Sequence, residues 1–537
     1  MLAIAGGVLW LAWLIGLGLL SFQGLASFPG IHFDETWFAL AAVGLETPVA
    51  PGAGMTWYSG SLMALILSVV FEVFSPGYFQ MRAVPVLGLL GFAAVATLSL
   101  RGFGKSSVVI MALLLSQSLF VLWYGRVAWE VTGLMWLVLA ASLAILIQRW
   151  QQNSRVQRDG FVALLYLLLW LGMTNHMMAG ILLVALCLAL AALLLLAPEP
   201  RLIAMATTCG PALILLLAIL LKPLIGMLEA TAIAAIWAYY LLPPFLVFAA
   251  RHRIAATGQW IIDALVRQIG RKPLRLLAFY SLPVAVVFVA LTSSQALFLS
   301  LTNAFMIDRV LSGAISPDLR LAMLGIGFAI FAAWLGLAGH AASSVLKSRP
   351  RPSDMLLLIF TLTALIYCAI LAVVIGYISI RHMAPALLLI FLCLAIGLPP
   401  RLPGRRAFLA PALLLPMVLF VLWVDQTAKT INGATAPIAI GFIRNDKETS
   451  AHFLPQPPLI RLLQAEKICP ENLSQRRPFK QQARFAAFLD PWPCQMNKKA
   501  TASYCTTCSE TGFFKLTHDP ETSAETPTNQ SAFQARP

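Results

Sequence analysis

Two adjacent carboxylates, Asp34 and Glu35, follow the first apolar stretch of the chain. Only 11% of the residues are charged and 60% are hydrophobic, a composition that suggests a membrane protein. Acidic groups beside a bilayer are costly to desolvate unless they face water, a metal ion or a cation. Such a pair can serve as a general base or as ligands of a divalent cation. A solvated loop gives the same dipeptide, so the pattern alone leaves both interpretations open.

Further polar residues recur in the connections between later apolar stretches. Carboxylates from two separate connections can hold a divalent ion, and guanidinium groups bind phosphate in a planar fork. Each residue taken singly also has a structural interpretation, as a helix cap for Glu130 or as an interfacial anchor for Arg126 and Arg381. The candidates are Arg126, Glu130, Asn175, His176, Arg381 and His382.

Membrane helices must position these residues. The mean hydropathy is +0.83, and apolar stretches of roughly 17–25 residues, the length that crosses a bilayer as a helix, recur along the chain. This composition predicts an all-α polytopic membrane protein and excludes a soluble globule. Basic residues are scattered over short connections and form no single stripe, so no nucleic-acid partner is expected.

About thirteen transmembrane helices are predicted. A further apolar segment, 61–74, is short and carries Glu72, so we expect it to be a helix lying at the outer membrane interface. The predicted spans are 2–21, 83–100, 107–123, 131–148, 161–174, 178–197, 202–221, 232–250, 276–298, 321–341, 355–376, 384–398 and 407–424.

The distribution of Lys and Arg predicts the orientation of the bundle. With a cytoplasmic N-terminus, the connections on the cytoplasmic side hold 18 Lys and Arg residues and the opposite connections hold 6, as the positive-inside rule requires. Asp34, Glu35 and the C-terminal tail then face outward, which in a bacterium means outside the inner membrane. The first apolar stretch lacks a basic start and is too long for a secretory signal, so it is predicted to be a helix.

The chain changes character after residue 424 and becomes polar. We predict a transmembrane domain over 1–424, a small extracytoplasmic Cys-containing domain over 425–514 and a disordered tail over 515–537. Since an outward compartment is usually oxidising, disulfides are expected in the middle part, although a Cys pair at 505 and 508 also has the spacing of a redox or zinc site. The cysteines concerned are Cys469, Cys494, Cys505 and Cys508.

The order of these features resembles the GT-C superfamily of polyprenyl-phosphate-sugar-dependent glycosyltransferases, especially the bacterial relatives of protein O-mannosyltransferases and lipid A aminoarabinose transferases. Members carry an Asp-Glu in a long first outer loop, then interfacial helices, an Arg that opens the second span, and a second outer loop with Arg, Ala and an acid in that order. The corresponding residues here are Asp34-Glu35, the 61–74 segment, Met81-Arg82-Ala83-Val84-Pro85 and Arg126-Val127-Ala128-Trp129-Glu130. The resemblance covers roughly residues 1–200 by motif and the remainder by topology.

The resemblance implies roles for these residues. It assigns Asp34 and Glu35 to catalysis, with Asp34 as the general base or the carboxylate that positions the acceptor. Asp34 and Glu130 would hold a divalent cation, Mg²⁺ or Mn²⁺; many members have Asp where this chain has Glu130. The residues that would bind the donor phosphate are Arg82, Arg126, His176, Arg381 and His382.

The activity implied is transfer of a sugar from a polyprenyl-phosphate donor to an extracytoplasmic glycan, lipid or protein acceptor, with inversion and without a nucleotide. A lipid-linked sugar already carries a good leaving group, so a base and several cations suffice. An O-antigen ligase or polymerase shares such a donor but typically has a large late outer loop. A transporter or lipid flippase would place ionisable residues at mid-membrane and often show an inverted repeat.

Overall fold

A computed structural model describes the chain over 2–26, 31–45, 62–152, 159–196, 199–219, 233–270, 317–346, 351–374, 380–401 and 414–423, with shorter pieces beyond. Those pieces are 441–442, 450–451, 453–454, 467, 469, 484–491, 493, 500–504 and 514–518. The helices are α1 Leu2–Phe22, α2 Phe33–Ala42, α3 Leu62–Phe74, α4 Tyr78–Leu98, α5 Lys105–Ser116, α6 Leu119–Tyr124, α7 Gly133–Gln152, α8 Asp159–Asn175, α9 Met178–Leu196, α10 Pro200–Cys209, α11 Ile214–Ile219, α12 Ile233–Ile269, α13 Pro317–Leu346, α14 Pro352–Val374, α15 Ala384–Gly397, α16 Leu414–Trp423 and α17 over 484–489.

The chain is an integral membrane protein. Among the described residues, six helical segments are long and apolar enough to cross a bilayer, and several shorter apolar helices accompany them. The prediction of a helical, polytopic membrane fold is therefore confirmed. The number of thirteen spans stays a prediction, and the predicted span 276–298 lies outside the described residues.

Several predicted spans differ from the observed helices for local reasons. Helix α4 begins at Tyr78 rather than at 83, because the charge of Arg82 is paired inside the protein and does not end the helix. The predicted span 107–123 is broken between α5 and α6, where the Ser118 hydroxyl accepts a hydrogen bond from Val121 N at 3.3 Å and caps the new helix.

Two further differences lie in later helices. The predicted span 202–221 is broken by a 3-10 turn, Gly210–Leu213, because Pro211 lacks the N–H that an α-helix would need. Helix α12 does not end near residue 250 but continues to Ile269. Its extension carries exposed polar side chains, such as His252 and Arg253, which a solvated helix tolerates.

Helices α2 and α3 pack on each other between α1 and α4 in the sequence. The predicted helix over 61–74 is found as α3, whereas α2 was not predicted, since Asp34 and Glu35 were placed in a loop. A helix start was readable there, because two acidic residues in a first turn stabilise the helix dipole and a short apolar run follows them. Phe38 and Leu40 of α2 are buried.

Backbones of α4 and α7 come into close contact. A Cβ built on Gly133 would lie 1.8 Å from Pro85 O, and one built on Gly88 would lie 2.5 Å from the carbonyl carbon of Gly133. Only glycine permits this approach. The contact fixes the start of α7, and with it the preceding loop, against the first turns of α4.

Helices α4, α7, α8 and α9 define two ends of the bundle. The end where α1 and α8 finish and α4 and α7 begin is called the site end, and the opposite end, where α8 begins at Asp159, is called the basic end. The core between the two ends includes α14, which packs on α9 and α15.

In the described part of the chain, short strands pair in antiparallel ladders: β1 Ile31–His32 with β4 Phe453–Leu454, β2 Gly441–Phe442 with β3 Ser450–Ala451, and β5 Ala500–Tyr504 with β6 Phe514–His518. The chain divides into two compact units, Met1–Pro455 and Gln456–Pro537. Within the second unit, Cys469 is buried and disulfide-bonded. The other three tail cysteines lie outside the described residues.

Strand β6 takes up the first residues of the segment 515–537, which was predicted to be disordered. Apolar and polar residues alternate over Phe514–His518, and this period of two is typical of a strand. The remainder of that segment lies outside the described residues.

Candidate active site

A buried ion pair joins α2 to α4 at the site end. Arg82 donates from Nε to Glu35 Oε2 and from Nη2 to Glu35 Oε1, both at 2.8 Å. Both side chains have 0% of their surface exposed. Two parallel bonds between a guanidinium and a carboxylate are the strong, geometrically specific form of this interaction.

The Glu35 carboxylate also contacts the connection between α6 and α7. Ala128 N donates to Glu35 Oε2 at 3.0 Å. We call residues 125–132 the second loop. One carboxylate therefore joins three elements: α2, α4 and the second loop.

Both arginines of this region contact the turn that follows α1. Arg82 Nη1 donates to Leu25 O at 3.2 Å, and Arg126 Nη2 donates to Gln23 O. The Arg126 side chain is fully buried. Guanidinium groups beside carbonyls at the end of a helix are electrostatically favourable, because the C-terminus of a helix carries partial negative charge. We call Glu35, Arg82 and Arg126, with these backbone partners, the frame.

The second loop is tightly folded. Trp129 N donates to Val127 O at 2.8 Å, and the Thr132 hydroxyl donates to the same carbonyl at 2.6 Å. Trp129 is fully buried, and its ring lies 5.4 Å from that of Tyr124. Internal hydrogen bonds and a buried aromatic anchor hold this loop in one shape, so that Glu130 at its end has a defined position.

A second cluster begins at Glu130. Asn175, the last residue of α8, donates from Nδ2 to Glu130 O. The following residue, His176, has its ring centroid 5.5 Å from that of His382, with 30° between the two planes. All four residues are at least nine-tenths buried. We call Glu130, Asn175, His176 and His382 the amide–histidine cluster.

Backbone contacts position the two histidines. Met178 N donates to His176 Nδ1 at 3.2 Å, so that this ring nitrogen is an acceptor. His382 lies in the 3-10 turn Ile380–Met383 before α15, and the Tyr367 hydroxyl of α14 donates to its carbonyl at 2.8 Å. The cluster therefore draws on α8, α14, the 3-10 turn and the second loop.

Two predicted site residues have a described backbone only. Asp34 is the second residue of α2, directly before Glu35, and Arg381 is directly before His382 in its 3-10 turn. Their side chains lie outside what the structure describes. Over the described residues, no group of three or more His, Cys, Asp and Glu side chains could hold a metal ion.

The structure thus brings most of the sequence candidates into two groups linked by the second loop. Sequence inspection missed the Ala128 amide and the Gln23 and Leu25 carbonyls. Backbone groups carry no residue-type signal, so only the folded chain can show these contacts.

No protein-family model and no curated protein matches this sequence. Solved structures do match. The oligosaccharyltransferase of Archaeoglobus fulgidus, in complex with Zn and sulfate, is 16% identical and has a TM-score of 0.45; the match covers 78% of this chain and 53% of that chain. AglB from Archaeoglobus fulgidus, in complex with an inhibitory peptide and a dolichol-phosphate, is 18% identical with a TM-score of 0.44, over 79% of this chain and 56% of that chain.

ArnT from Cupriavidus metallidurans in the apo state also matches, at 12% identity and a TM-score of 0.37, over 91% of this chain and 89% of that chain. This chain spans just over half the length of the archaeal structures. The residue roles proposed below rest on contacts within this chain.

Proposed function

We propose that this protein is an integral-membrane glycosyltransferase that moves a sugar from a polyprenyl phosphate to an acceptor outside the membrane. The observation that carries the proposal is the Glu35 carboxylate, which joins α2, α4 and the second loop. Asp34, the preceding residue, belongs to α2, and the contacts of Glu35 hold this helix beside the second loop, which contains Glu130. The donor is of the same chemical class as the dolichol-phosphate in the AglB complex.

Asp34 is our candidate for the general base that removes a proton from the acceptor hydroxyl or amine. Glu35 was also predicted to be catalytic, but its carboxylate accepts hydrogen bonds from Arg82 and Ala128. We therefore propose that Glu35 positions Asp34 and does not itself accept the proton. Likewise, Arg82 and Arg126, predicted to bind the donor phosphate, are assigned to the frame because their guanidinium groups contact Glu35, Leu25 and Gln23.

His176, Arg381 and His382 are then the residues that bind the departing lipid phosphate. These residues lie in the connection after α8 and in the 3-10 turn before α15. Positive charge and hydrogen-bond donors fixed before the reaction stabilise the negative charge that grows on a leaving phosphate. The acceptor attacks the anomeric carbon from the side opposite this phosphate, so a single displacement inverts the configuration.

A divalent cation is the cofactor that we propose, with Asp34 and Glu130 as its carboxylate ligands. Glu130 is buried, and a buried carboxylate is stabilised by a cation. Mg²⁺ and Mn²⁺ favour such oxygen ligands. Removal of divalent ions with EDTA should lower activity, and Glu130→Gln should weaken the response to added Mg²⁺. If EDTA leaves activity unchanged and Glu130→Gln leaves the Mg²⁺ response unchanged, the cation is removed from the proposal.

The orientation we propose has a cytoplasmic N-terminus and places the site end and the tail outside, in a bacterium on the outer side of the inner membrane. The charge bias of 18 to 6 supports it, and so does the disulfide-bonded Cys469, since disulfides persist in oxidising compartments. A periplasm-active reporter fused after Thr430 should be active and a cytoplasm-active one silent. The opposite result would place the site end in the cytoplasm.

Reconstitution tests the function directly. Purified protein in proteoliposomes should release sugar-free polyprenyl phosphate from a lipid-linked sugar only when an acceptor is present, as measured by mass spectrometry. A deletion strain should lose one sugar from its surface glycans or glycoproteins and accumulate the lipid-linked donor. Movement of an intact lipid-linked sugar between leaflets, without cleavage, would instead identify a flippase.

A further inference from the structure

Among the described residues, no group donates a hydrogen bond to the buried side-chain oxygen of Asn175. Its side chain is 2% exposed. Nδ2 donates to Glu130 O, whereas Oδ1 has no hydrogen-bond partner among the residues that the structure describes. Because the partner of Nδ2 is a carbonyl, which can only accept, the amide cannot be turned over without losing that bond. The free position is therefore an oxygen.

A buried acceptor without a donor is unfavourable, since its hydration is lost and nothing replaces it. In native proteins such groups are rare and call for a ligand, a water molecule or a functional reason. Asn175 is placed where a ligand would be expected, because it is bonded to Glu130 and directly precedes His176, whose ring stacks on His382.

The chemistry of the acceptor restricts what it can bind. A sugar linked through a phosphodiester has no proton on its phosphate at neutral pH, so the phosphate oxygens are acceptors only and repel an amide oxygen. Hydroxyl and ammonium groups of the sugar are donors. The oxygen of Asn175 is thus suited to the sugar and unsuited to the phosphate, while the histidines and Arg381 have the opposite preference.

We propose that Asn175 Oδ1 accepts a hydrogen bond from a hydroxyl or amino group of the donor sugar and thereby contributes to sugar selectivity. This inference rests on the proposed function. It assigns the amide–histidine cluster two parts, one that recognises the leaving phosphate and one that recognises the group being transferred. A site that hydrogen-bonds a sugar hydroxyl discriminates strongly against sugars that lack it, because the buried acceptor is then left unpaired.

Binding to the purified full chain in nanodiscs tests the proposal without requiring turnover. The probes are undecaprenyl phosphate and undecaprenyl-phosphate-linked glucose, galactose and 4-amino-4-deoxyarabinose. The quantity compared is the gain in affinity that each sugar adds over the sugar-free lipid. In the wild type at least one sugar should add affinity, and in Asn175→Leu that gain should fall on the order of tenfold, the effect of one lost hydrogen bond, with the affinity for undecaprenyl phosphate unchanged.

Gln117 provides a matched control. It is also 2% exposed, and neither end of its amide has a hydrogen-bond partner in the described part of the chain. It lies between α5 and α6, outside the cluster. Gln117→Leu likewise removes a buried amide oxygen without a partner among the described residues, and should leave the sugar gain unchanged. Asn175→Gln, which keeps both the amide donor and the amide acceptor, should retain part of the gain even if Asn175→Leu folds poorly.

Each other outcome contradicts the proposal. If Asn175→Leu lowers the affinity for all of the lipids equally, the amide only anchors the second loop through Glu130 O. An unchanged sugar gain would show that Oδ1 is satisfied by water. If the wild type binds undecaprenyl phosphate but no sugar increases its affinity, sugar recognition alone is refuted. If the wild type binds none of these lipids, the proposed function is refuted as well.

Discussion

The two ends of the bundle each contain an Arg–carboxylate pair, and the pairs differ in burial far more than in distance. At the site end Arg82 and Glu35 are 2.8 Å apart with neither side chain exposed. At the basic end Arg251 and Asp159 are 2.6 Å apart, with 15% and 69% of their side chains exposed. Water reaches the Asp159 carboxylate of the second pair but neither partner of the first. Similar distances therefore have different energetic consequences.

The two ends are built from the same residue types, but the loss of one partner has a different energetic cost at each end. A buried pair that loses one partner leaves an uncompensated charge, which costs about 3–5 kcal/mol, whereas an exposed pair is worth about 0–1 kcal/mol. The site end is accordingly held in one arrangement. At the basic end the pair contributes little to stability, because the Asp159 carboxylate remains largely in water.

Breaking the buried pair should have the largest effect. Arg82→Met leaves Glu35 charged and without its guanidinium partner, so the free energy of unfolding should fall by about 3–5 kcal/mol. Thermal unfolding in detergent measures the change. The double variant Glu35→Leu with Arg82→Met removes both charges and should recover most of the stability; an equally unstable double variant would show that packing, and not the unpaired charge, is responsible.

Removing the proposed base should leave the frame intact and abolish most of the activity. Asp34→Asn keeps the size and hydrogen bonding of the side chain but not its charge, so turnover should fall roughly a hundredfold or more. Protein level and melting temperature should stay near the wild-type values. Normal turnover with a verified donor would remove Asp34 from the mechanism and favour the transporter interpretation.

Substitution of Arg381 separates phosphate binding from anchoring at the membrane interface. Arg381→Ala should reduce kcat/KM for the lipid-linked donor on the order of tenfold or more, as expected for the loss of a charged hydrogen bond. Arg381→Lys should restore part of this, because lysine keeps the charge but lacks the planar fork. If the alanine variant works fully at normal protein levels, Arg381 is an interfacial anchor.

The smallest effect is expected at the basic end. Asp159→Asn breaks the exposed pair with Arg251 and should change the free energy of unfolding by less than about 1 kcal/mol, without altering activity. The same melting and turnover assays apply. A loss comparable with that of Arg82→Met would contradict the distinction between the two ends.

Much of the membrane topology was predictable from hydropathy, because a span of apolar residues is a local property. The predicted spans near α1, α8, α9 and α15 agree closely with the observed helices. Predictions failed where a charge was neutralised at a distance or where local capping overrode hydropathy. Arg82 did not end its helix, and Ser118 started a new helix within an apolar stretch.

The candidate site was predictable as a set of residue types and not as a set of contacts. Glu35 and Arg82 were both identified, but as groups that act on substrate, since nothing in the sequence shows that residues 47 positions apart pair with each other. The unused acceptor of Asn175 is likewise invisible in sequence, because it depends on which end of the amide Glu130 O engages.

The Glu35–Arg82 pair also has a consequence for biosynthesis. Both residues are made before the second loop, and both belong to the first part of the chain, α1 to α4. An arginine entering the bilayer alone is expensive. Because Glu35 precedes Arg82 in the chain, the carboxylate partner is already synthesised when α4 enters the bilayer, whereas Ala128 follows both. The order of translation thus matches the order in which this end of the bundle can be assembled.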